Sequence, residues 1–281
     1  MSAQRRFVWL VIAGLAVATC TPAPAAPGAT PTAAPTAIPT PAATLQPTAT
    51  PIVPGDALLP NLVMEPLGQW HVELSDGRRL LRVTTVFSNY GDGPFELRGS
   101  RSSADEPTML MDQVVYTASG GERVVPTTVE ARYTGDGHDH WHAQRAVTME
   151  LNRVLDPGTI RFGRKIHFCF FDNYPTNRDL SAFDPEEVYL RAFCALRSSL
   201  SVRMGLSVGW GDRYGWDFPY QQIDITNLPG ATYELRATVD YDNDFLELND
   251  GDNCTMSRFQ LPAFGEGEII TVEAENQPCP N

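Results

Sequence analysis

Short runs of β-branched and aromatic residues recur along the chain from about residue 55, and turn residues separate them. Gly, Pro, Asn and Asp bound these runs, as they commonly bound strands, and no long stretch repeats with the period of an amphipathic helix. We therefore expect an all-β fold, an antiparallel β-sandwich-like single catalytic domain. The expected strands include residues 80–87, 113–117, 146–151, 165–171, 222–225, 232–241 and 269–273.

The start of the chain has the composition of a signal peptide, at residues 1–20. Arg5 and Arg6 precede an apolar run at residues 7–18 that is too short for an ordinary membrane span. The segment that ends at Cys20 resembles a bacterial lipobox, in which this cysteine would carry a lipid anchor to a membrane. The alternative is a plain secretory signal that is cut nearby.

Residues 21–54 form a Pro-, Thr- and Ala-rich segment with ten prolines and no charged residue. Such a segment cannot bury enough apolar surface to fold, so it predicts a disordered linker. The remaining chain, 55–281, has the length of one domain. The expected location is therefore extracytoplasmic, either secreted or lipid-anchored at the cell surface.

Four cysteines follow Cys20, namely Cys169, Cys194, Cys254 and Cys279. An even number in an exported domain favours two disulfides over a thiolate metal site. Proximity in the sequence favours Cys169–Cys194 and Cys254–Cys279, and two other pairings remain open. The net charge of -13 argues against nucleic acid binding.

Three of the five histidines, His138, His140 and His142, alternate along one short segment. On a strand this alternation places all three imidazoles on one face, and imidazoles directed at one point form a transition-metal site. The first and third Cα atoms of a straight strand would lie roughly 13 Å apart, so convergence requires a twist or bulge. The alternative is adventitious metal binding by a His-rich tract.

Lys165 is the only lysine among the 21 basic residues of the chain. A lysine amine can lose its proton when it is buried and then act as a nucleophile, whereas a guanidinium stays charged. The use of lysine at this one position therefore indicates chemistry that arginine could not perform. A GC-rich genome would produce the same bias without a functional cause.

Three motifs, in this order, resemble the copper-dependent lysyl oxidase family. Residues 137–143, Gly-His-Asp-His-Trp-His-Ala, resemble the copper-binding motif of that family. Residues 163–169 resemble its Gly-x-Lys-x-x-Phe-Cys segment, and residues 214–226 resemble its Tyr-Gly-x-Asp and Gln-x-Ile-Asp-Ile-Thr stretch. The likeness extends over about residues 80–254 and identifies the chain as similar to a bacterial, exported member.

The resemblance implies that His138, His140 and His142 bind copper and that Lys165 and Tyr214 form a lysine tyrosylquinone cofactor. The implied activity is the oxidative deamination of primary amines, either peptidyl lysine or small amines. O₂ would be consumed, and an aldehyde, hydrogen peroxide and ammonia would be released. The alternative is a catalytically inactive, surface-tethered copper-binding or adhesion module of the same fold.

Asp217 is the predicted general base, because it lies close to Tyr214 in the sequence and would act as a carboxylate if it were partly desolvated. A turn residue is the alternative interpretation of Asp217. The chain departs from the animal members of the family at residues 133–136, where those members carry a further histidine and a cysteine. The long spacing between the lysine and the tyrosine implies an inserted loop around residues 173–187.

A loop near the C-terminus resembles the calcium loop of the same family and gathers oxygen ligands of the kind that calcium prefers. The candidate calcium ligands are Asn61, Glu247, Asn249, Asp252 and Asn253. Asn249 stands where the family has an aspartate, which would weaken binding. The alternative is a solvated acidic turn.

Overall fold

The computed structural model describes residues 55–134, 139–163, 165, 167–263 and 271–279. Over these residues the chain forms 18 strands and two short 3₁₀ helices but no α-helix, which confirms the all-β prediction. In this part of the chain no helix is long and apolar enough to cross a membrane. The predicted signal peptide, the predicted linker and His138 lie outside the described residues.

Most of the strands follow one another through turns and short loops, but residues 176–200 between two of them contain only a short 3₁₀ helix. In chain order they are β1 (Ala57–Leu58), β2 (Leu62–Met64), β3 (Gly68–Ser75), β4 (Arg78–Asn89), β5 (Phe95–Ser100), β6 (Thr108–Thr117), β7 (Glu122–Thr134), β8 (His140–Gln144), β9 (Val147–Arg153), β10 (Asp156–Phe162), β11 (His167–Phe168), β12 (Tyr174–Pro175), β13 (Ser201–Leu206), β14 (Trp210–Tyr214), β15 (Ile223–Asp224), β16 (Ala231–Val239), β17 (Cys254–Leu261) and β18 (Thr271–Pro278). The 3₁₀ helices are Arg191–Cys194 and Asp250–Asp252.

The strands form three sheets, and the pairings among the described residues are antiparallel. The first sheet has the order β11-β8-β7-β6-β5-β13, with β1 also beside β6. The second has the order β10-β9-β16-β17-β18. The third has the order β12-β14-β4-β15, with β2 and β3 also paired to β4. Antiparallel strands need only short connections, which suits a chain of many short runs.

The central strand of the third sheet, β4, is buried along almost its whole length. A strand that is covered on both faces does not need a strict alternation of apolar and polar residues, and the predicted strand at 80–87, Leu-Leu-Arg-Val-Thr-Thr-Val-Phe, has none. β14 pairs with β4 from Gly211 opposite Ser88 to Tyr214 opposite Thr85. This pairing carries Tyr214 into the core.

One hydrophobic cluster takes side chains from all three sheets, for example Trp141, Leu235 and Phe87, each of which is fully buried. Burial of a large apolar side chain contributes about 1.5–3 kcal/mol relative to its exposure. The three sheets therefore share one core, in which the aromatic residues around Tyr214 are included.

The strand predicted at 165–171 is too long, because among its described residues, 165 and 167–171, regular pairing is limited to β11, at His167–Phe168. Cys169 leaves the sheet to form a disulfide with Cys194. The carbonyl oxygen of Phe170 then accepts a hydrogen bond of 3.0 Å from the backbone N–H of Gly205, outside any ladder. The covalent cross-link therefore overrides the local preference for an extended strand.

Both disulfides that proximity in the sequence favoured are present. Cys169 is bonded to Cys194, with Cα atoms 6.0 Å apart, and Cys254 is bonded to Cys279, with Cα atoms 5.6 Å apart. The first disulfide ties the end of β11 to a 3₁₀ helix, and the second ties β17 to the residue after β18. The first of them fixes the chain next to the candidate site.

Candidate functional site

Lys165 and Tyr214 lie together in the core, although they are far apart in the sequence. Tyr214 is the last residue of β14, and Lys165 lies just before β11. The Nζ atom of Lys165 is 5.3 Å from the centroid of the Tyr214 ring, and each residue is only 4% exposed. The structure therefore brings together the two residues that the family resemblance joins in a cofactor.

Aromatic side chains surround the Tyr214 ring. Phe168 meets it edge-on with 4.8 Å between the ring centroids, Phe218 does so at 5.5 Å, and Phe87 stacks at 6.0 Å. The Nζ atom of Lys165 also lies 5.3 Å from the centroid of the Phe168 ring. These rings leave little room for water, so charges placed here act on one another strongly.

Asp212 lies two residues before Tyr214 on β14, so the two side chains lie on the same side of the strand. Its carboxylate is fully buried. Oδ1 accepts a hydrogen bond of 2.5 Å from Asn173 Nδ2, whereas Oδ2 has no hydrogen-bond partner among the described residues. Burial raises the pKa of Asp212 well above its usual value, although Asn173, Tyr214 and the charge of Lys165 oppose this shift.

The pKa of the Tyr214 phenol is also raised. Burial and then the charge of Asp212 raise the pKa of Tyr214 well above its usual value, while the backbone N–H of Cys169 acts against the shift. Asp212 and its partner Asn173 are not among the site residues that the sequence predicts. The Asp-x-Tyr alternation on a strand was a usable signal for Asp212, but nothing in the sequence places Asn173 beside it.

His140 and His142 lie next to each other on β8, and both are buried. Their ring centroids are 4.4 Å apart, and the Nδ1 atom of His142 is 2.9 Å from the hydroxyl oxygen of Thr134 on β7. The two histidines alternate with Trp141 and Ala143, which belong to the hydrophobic core. β8 thus has the strand alternation that the sequence predicts for this segment.

Two imidazoles with this separation can each place a nitrogen about 2 Å from one shared metal ion. The third predicted ligand, His138, lies outside the described residues, and within them no group of three or more His, Cys, Asp or Glu is arranged to hold a metal. The backbone has a positive φ of 44° at Asp139, just before β8 begins at His140. The backbone is therefore not extended at Asp139.

β11 connects the histidines to the tyrosine. Phe168 of β11 pairs with Ala143 of β8, and its ring contacts Tyr214. Paired residues in an antiparallel ladder have their side chains on the same face, and neighbouring residues alternate between faces. The ring of His142 therefore lies on the opposite face of β8 from Phe168, whose ring contacts Tyr214.

Asp217, the predicted general base, lies in the exposed loop that follows β14. Its Oδ1 atom lies close to the backbone of Gly215, where an added Cβ atom would come within 2.6 Å of it. A glycine at this position therefore lets the carboxylate fold back toward the end of β14. The catalytic role of Asp217 stays a prediction.

Four of the five candidate calcium ligands lie together, and they are Asn61, Glu247, Asp252 and Asn253. Asn61 Nδ2 donates a hydrogen bond of 3.1 Å to Asp252 Oδ2, and Asn253 Nδ2 donates one of 2.7 Å to Glu247 Oε1. The Oδ1 atoms of Asn61, Asp252 and Asn253 are buried and have no hydrogen-bond partner within the described part of the chain. Unpaired buried oxygens of this kind fit a hard cation such as Ca²⁺.

Glu247 and Asn249 behave differently within this loop. Burial raises the pKa of Glu247 to about 8, although hydrogen bonds from Asn253 and from the backbone N–H of Leu62 act against the shift. A nearby cation would offset the cost of ionising such a carboxyl. Asn249 instead accepts a hydrogen bond of 3.1 Å from the backbone N–H of Gly251 and so caps the 3₁₀ helix.

Comparison with known proteins gives no independent assignment for this site. The chain matches no protein-family model, and it matches no curated protein sequence. The likeness to lysyl oxidases therefore depends on the three sequence motifs quoted above and on the arrangement of the residues within them.

Proposed function

We propose that this chain is a copper-dependent amine oxidase that builds a lysine tyrosylquinone cofactor from Lys165 and Tyr214. The observation that carries the proposal is the distance of 5.3 Å between Lys165 Nζ and the centroid of the Tyr214 ring, inside a buried aromatic pocket. The only lysine of the chain is thus close to a phenol ring, where a small movement would allow a covalent bond.

The proposed reaction is the oxidative deamination of a primary amine, either peptidyl lysine or a small amine. Its balance is R–CH₂–NH₂ + O₂ + H₂O → R–CHO + NH₃ + H₂O₂. Phe218 lies against Tyr214 and is 39% exposed, whereas Phe87 and Phe168 are buried. A substrate would therefore reach Tyr214 from the side of Phe218.

His138, His140 and His142 are the residues that would hold copper, and the close packing of His140 and His142 supports this assignment. A bound copper ion would supply electron transfer between the Tyr214 ring and O₂. The contact between His142 Nδ1 and the Thr134 hydroxyl would fix the orientation of the ring, as partners of metal-binding histidines commonly do.

Lys165 and the rings around it would determine where the cofactor forms. The amine lies over the rings of both Phe168 and Tyr214, and it is shielded from solvent. This position directs the amine to the oxidised ring and keeps water, a competing nucleophile, away from it. No other lysine in the chain could take its place.

We also propose that Asn61, Glu247, Asp252 and Asn253 bind a calcium ion. Three unpaired buried oxygens support this assignment, together with the carboxyl of Glu247, which burial makes costly to ionise. Asn61 immediately precedes β2, and the other three residues precede β17. Calcium would therefore stabilise the fold by joining two distant parts of the chain.

The two disulfides are typical of proteins that fold outside the reducing cytoplasm. Together with the signal-like start of the chain, they support an extracytoplasmic location. We propose that the protein is either secreted or held at the cell surface by a lipid on Cys20.

Peptide mass spectrometry of copper-loaded, air-exposed protein tests the proposed function directly. We expect a peptide in which Lys165 is joined to Tyr214, a visible quinone absorption, and peroxide release when a primary amine is added. Lys165→Arg and Tyr214→Phe should each abolish all three signals. Wild-type protein that is fully loaded with copper but contains no cross-link would contradict the proposal and would favour the inactive copper-binding or adhesion module.

A further inference from the structure

Asn173 holds the end of β14 in a fixed conformation through three hydrogen bonds. Its backbone N–H donates to the carbonyl oxygen of Gly211 at 3.3 Å, and its Oδ1 accepts from the backbone N–H of Arg213 at 2.8 Å. Its Nδ2 donates to Asp212 Oδ1 at 2.5 Å. The carboxylate of Asp212 cannot rotate without breaking this last bond, so it is fixed beside Tyr214.

The other carboxylate oxygen, Asp212 Oδ2, is buried and has no hydrogen-bond partner among the described residues. An acceptor left open in the interior is costly and requires an explanation. Two groups that must lose protons during cofactor formation, the phenol of Tyr214 and the amine of Lys165, are both near enough to act electrostatically on this carboxylate. The open acceptor therefore lies where the proposed cofactor formation would release a proton.

We propose that Asp212 accepts the proton that the Tyr214 phenol loses when its ring is oxidised, and that Asn173 positions the carboxylate for this step. The inference rests on the proposed function. The O–H bond of Tyr214 breaks, an O–H bond forms on Asp212, and the carboxylate neither gains nor loses electrons. The electrons of the ring pass to O₂, and Asp212 later returns its proton to water.

The charged and titratable groups around Asp212 determine the pH at which this step operates. Burial raises the pKa of Asp212 and Asp172 adds to that effect, whereas Tyr214 and Lys165 lower it. Arg191 acts on Tyr214 and favours its ionised form. Since only the ionised carboxylate can accept a proton, cofactor formation should become faster as the pH rises through the pKa of Asp212.

Asp212→Asn tests the proposal, because it removes the proton acceptor and keeps the size of the side chain. Full-length, metal-free protein is loaded with copper in air, and the growth of the visible quinone absorption is followed between pH 6 and pH 9. A positioned base typically contributes a factor of about 100 or more, so we expect the variant to form the cofactor about 100-fold more slowly. We also expect its pH profile to be flat.

Two further variants separate a chemical role of Asp212 from a structural one. Glu96→Gln is the matched control, because Glu96 is equally buried and accepts a hydrogen bond of 2.7 Å from the hydroxyl of another tyrosine, Tyr189. It should form the cofactor at the wild-type rate with the wild-type pH profile. Asn173→Ala removes a donor that lowers the pKa of Asp212, so its profile should shift to higher pH.

A readout without copper is the ultraviolet titration of the Tyr214 phenol in metal-free protein, assigned by comparison with Tyr214→Phe. The charge of Asp212 raises the pKa of Tyr214, so Asp212→Asn should allow ionisation at lower pH. An unchanged titration, or a wild-type rate and pH profile in Asp212→Asn, would overturn the assignment and leave the proposed function intact. Wild-type protein that forms no cofactor would instead overturn both.

Discussion

Glu96 and Asp212 are both fully buried carboxylates beside a tyrosine, yet their surroundings differ in charge. Glu96 accepts hydrogen bonds from the hydroxyl of Tyr189 at 2.7 Å and from the guanidinium of Arg203 at 2.9 Å, and a further one from Arg98. Two fixed positive charges therefore accompany the first carboxylate. The second has an amide as its hydrogen-bond donor and leaves one oxygen open.

The pKa values follow from this difference. Burial acts to raise the pKa of Glu96, but the hydrogen bonds and charges from Tyr189, Arg203 and Arg98 outweigh it and leave the pKa below its usual value. For Asp212 burial prevails, and the pKa is raised. Burial alone therefore does not decide the pKa: at Glu96 two arginines and a tyrosine hydroxyl outweigh it, whereas at Asp212 an amide donor, Tyr214 and the charge of Lys165 do not.

The same difference has opposite consequences for stability. A carboxyl with a lowered folded-state pKa stabilises the fold above its unfolded-state pKa and loses that contribution as the pH falls. A carboxyl with a raised folded-state pKa stabilises the fold only at low pH and loses that contribution as the pH rises. Glu96 should therefore stabilise the protein at neutral pH, whereas Asp212 should destabilise it, as residues at functional sites often do.

Glu96→Gln should have the largest effect on stability, because it removes the carboxylate that Arg203 and Arg98 share, although Arg98 keeps its exposed pair with Glu122. Breaking a buried ion pair costs about 3–5 kcal/mol, and the lower end is expected here because both arginines are partly exposed. Urea unfolding at pH 7 should show this loss. The loss should shrink at acid pH, where the wild-type carboxyl becomes protonated; an equal loss at pH 7 and pH 3 would contradict the comparison.

Glu247 is a third carboxyl to compare with Glu96 and Asp212, because a bound metal ion would compensate its negative charge. Calcium at about 100 times its dissociation constant should stabilise the protein by about 2.7 kcal/mol, or roughly 5–10 °C in Tm for a domain of this length. Glu247→Gln should abolish the calcium-dependent rise in Tm. Asn249→Ala should preserve it, since Asn249 caps the 3₁₀ helix. A wild-type Tm that is the same in calcium and in chelator would exclude the calcium site.

The sequence predicts the fold class and both disulfides because these depend on local pattern and spacing. The alternation around His140 and the apolar and β-branched residues of β4 are visible in a window of ten residues. Local pattern also predicts the strand at 165–171, but there the disulfide of Cys169 limits pairing to β11. A distant cross-link can therefore shorten a strand that the local sequence favours.

The surroundings of the two carboxylates could not be predicted, because they are assembled from distant segments. Asn173 reaches Asp212 through the pairing of the residues around β12 with β14, and these residues belong to the loop that the resemblance treats only as an insertion. Arg203 reaches Glu96 through the pairing of β13 with β5. Strand register therefore determines which carboxylate lies beside an arginine, and no short sequence motif encodes that register.

Asp212→Asn should have the smallest effect on stability, and its sign should be opposite to that of Glu96→Gln. The amide oxygen of the new side chain can still accept the hydrogen bond from Asn173, while the cost of a buried, ionised carboxyl disappears. Because burial raises the folded-state pKa of Asp212, the ionised carboxyl costs stability at alkaline pH, so the variant should be more stable than the wild type there. Urea unfolding of the metal-free protein from pH 4 to pH 9 should show this gain growing with pH and then levelling off above the folded-state pKa of Asp212.

A loss of stability that is independent of pH would indicate that Asp212 is an ordinary structural residue, and the contrast with Glu96 would then fail. A gain in stability combined with slow cofactor formation would mean that the protein accepts a less stable core in order to keep a proton acceptor beside Tyr214.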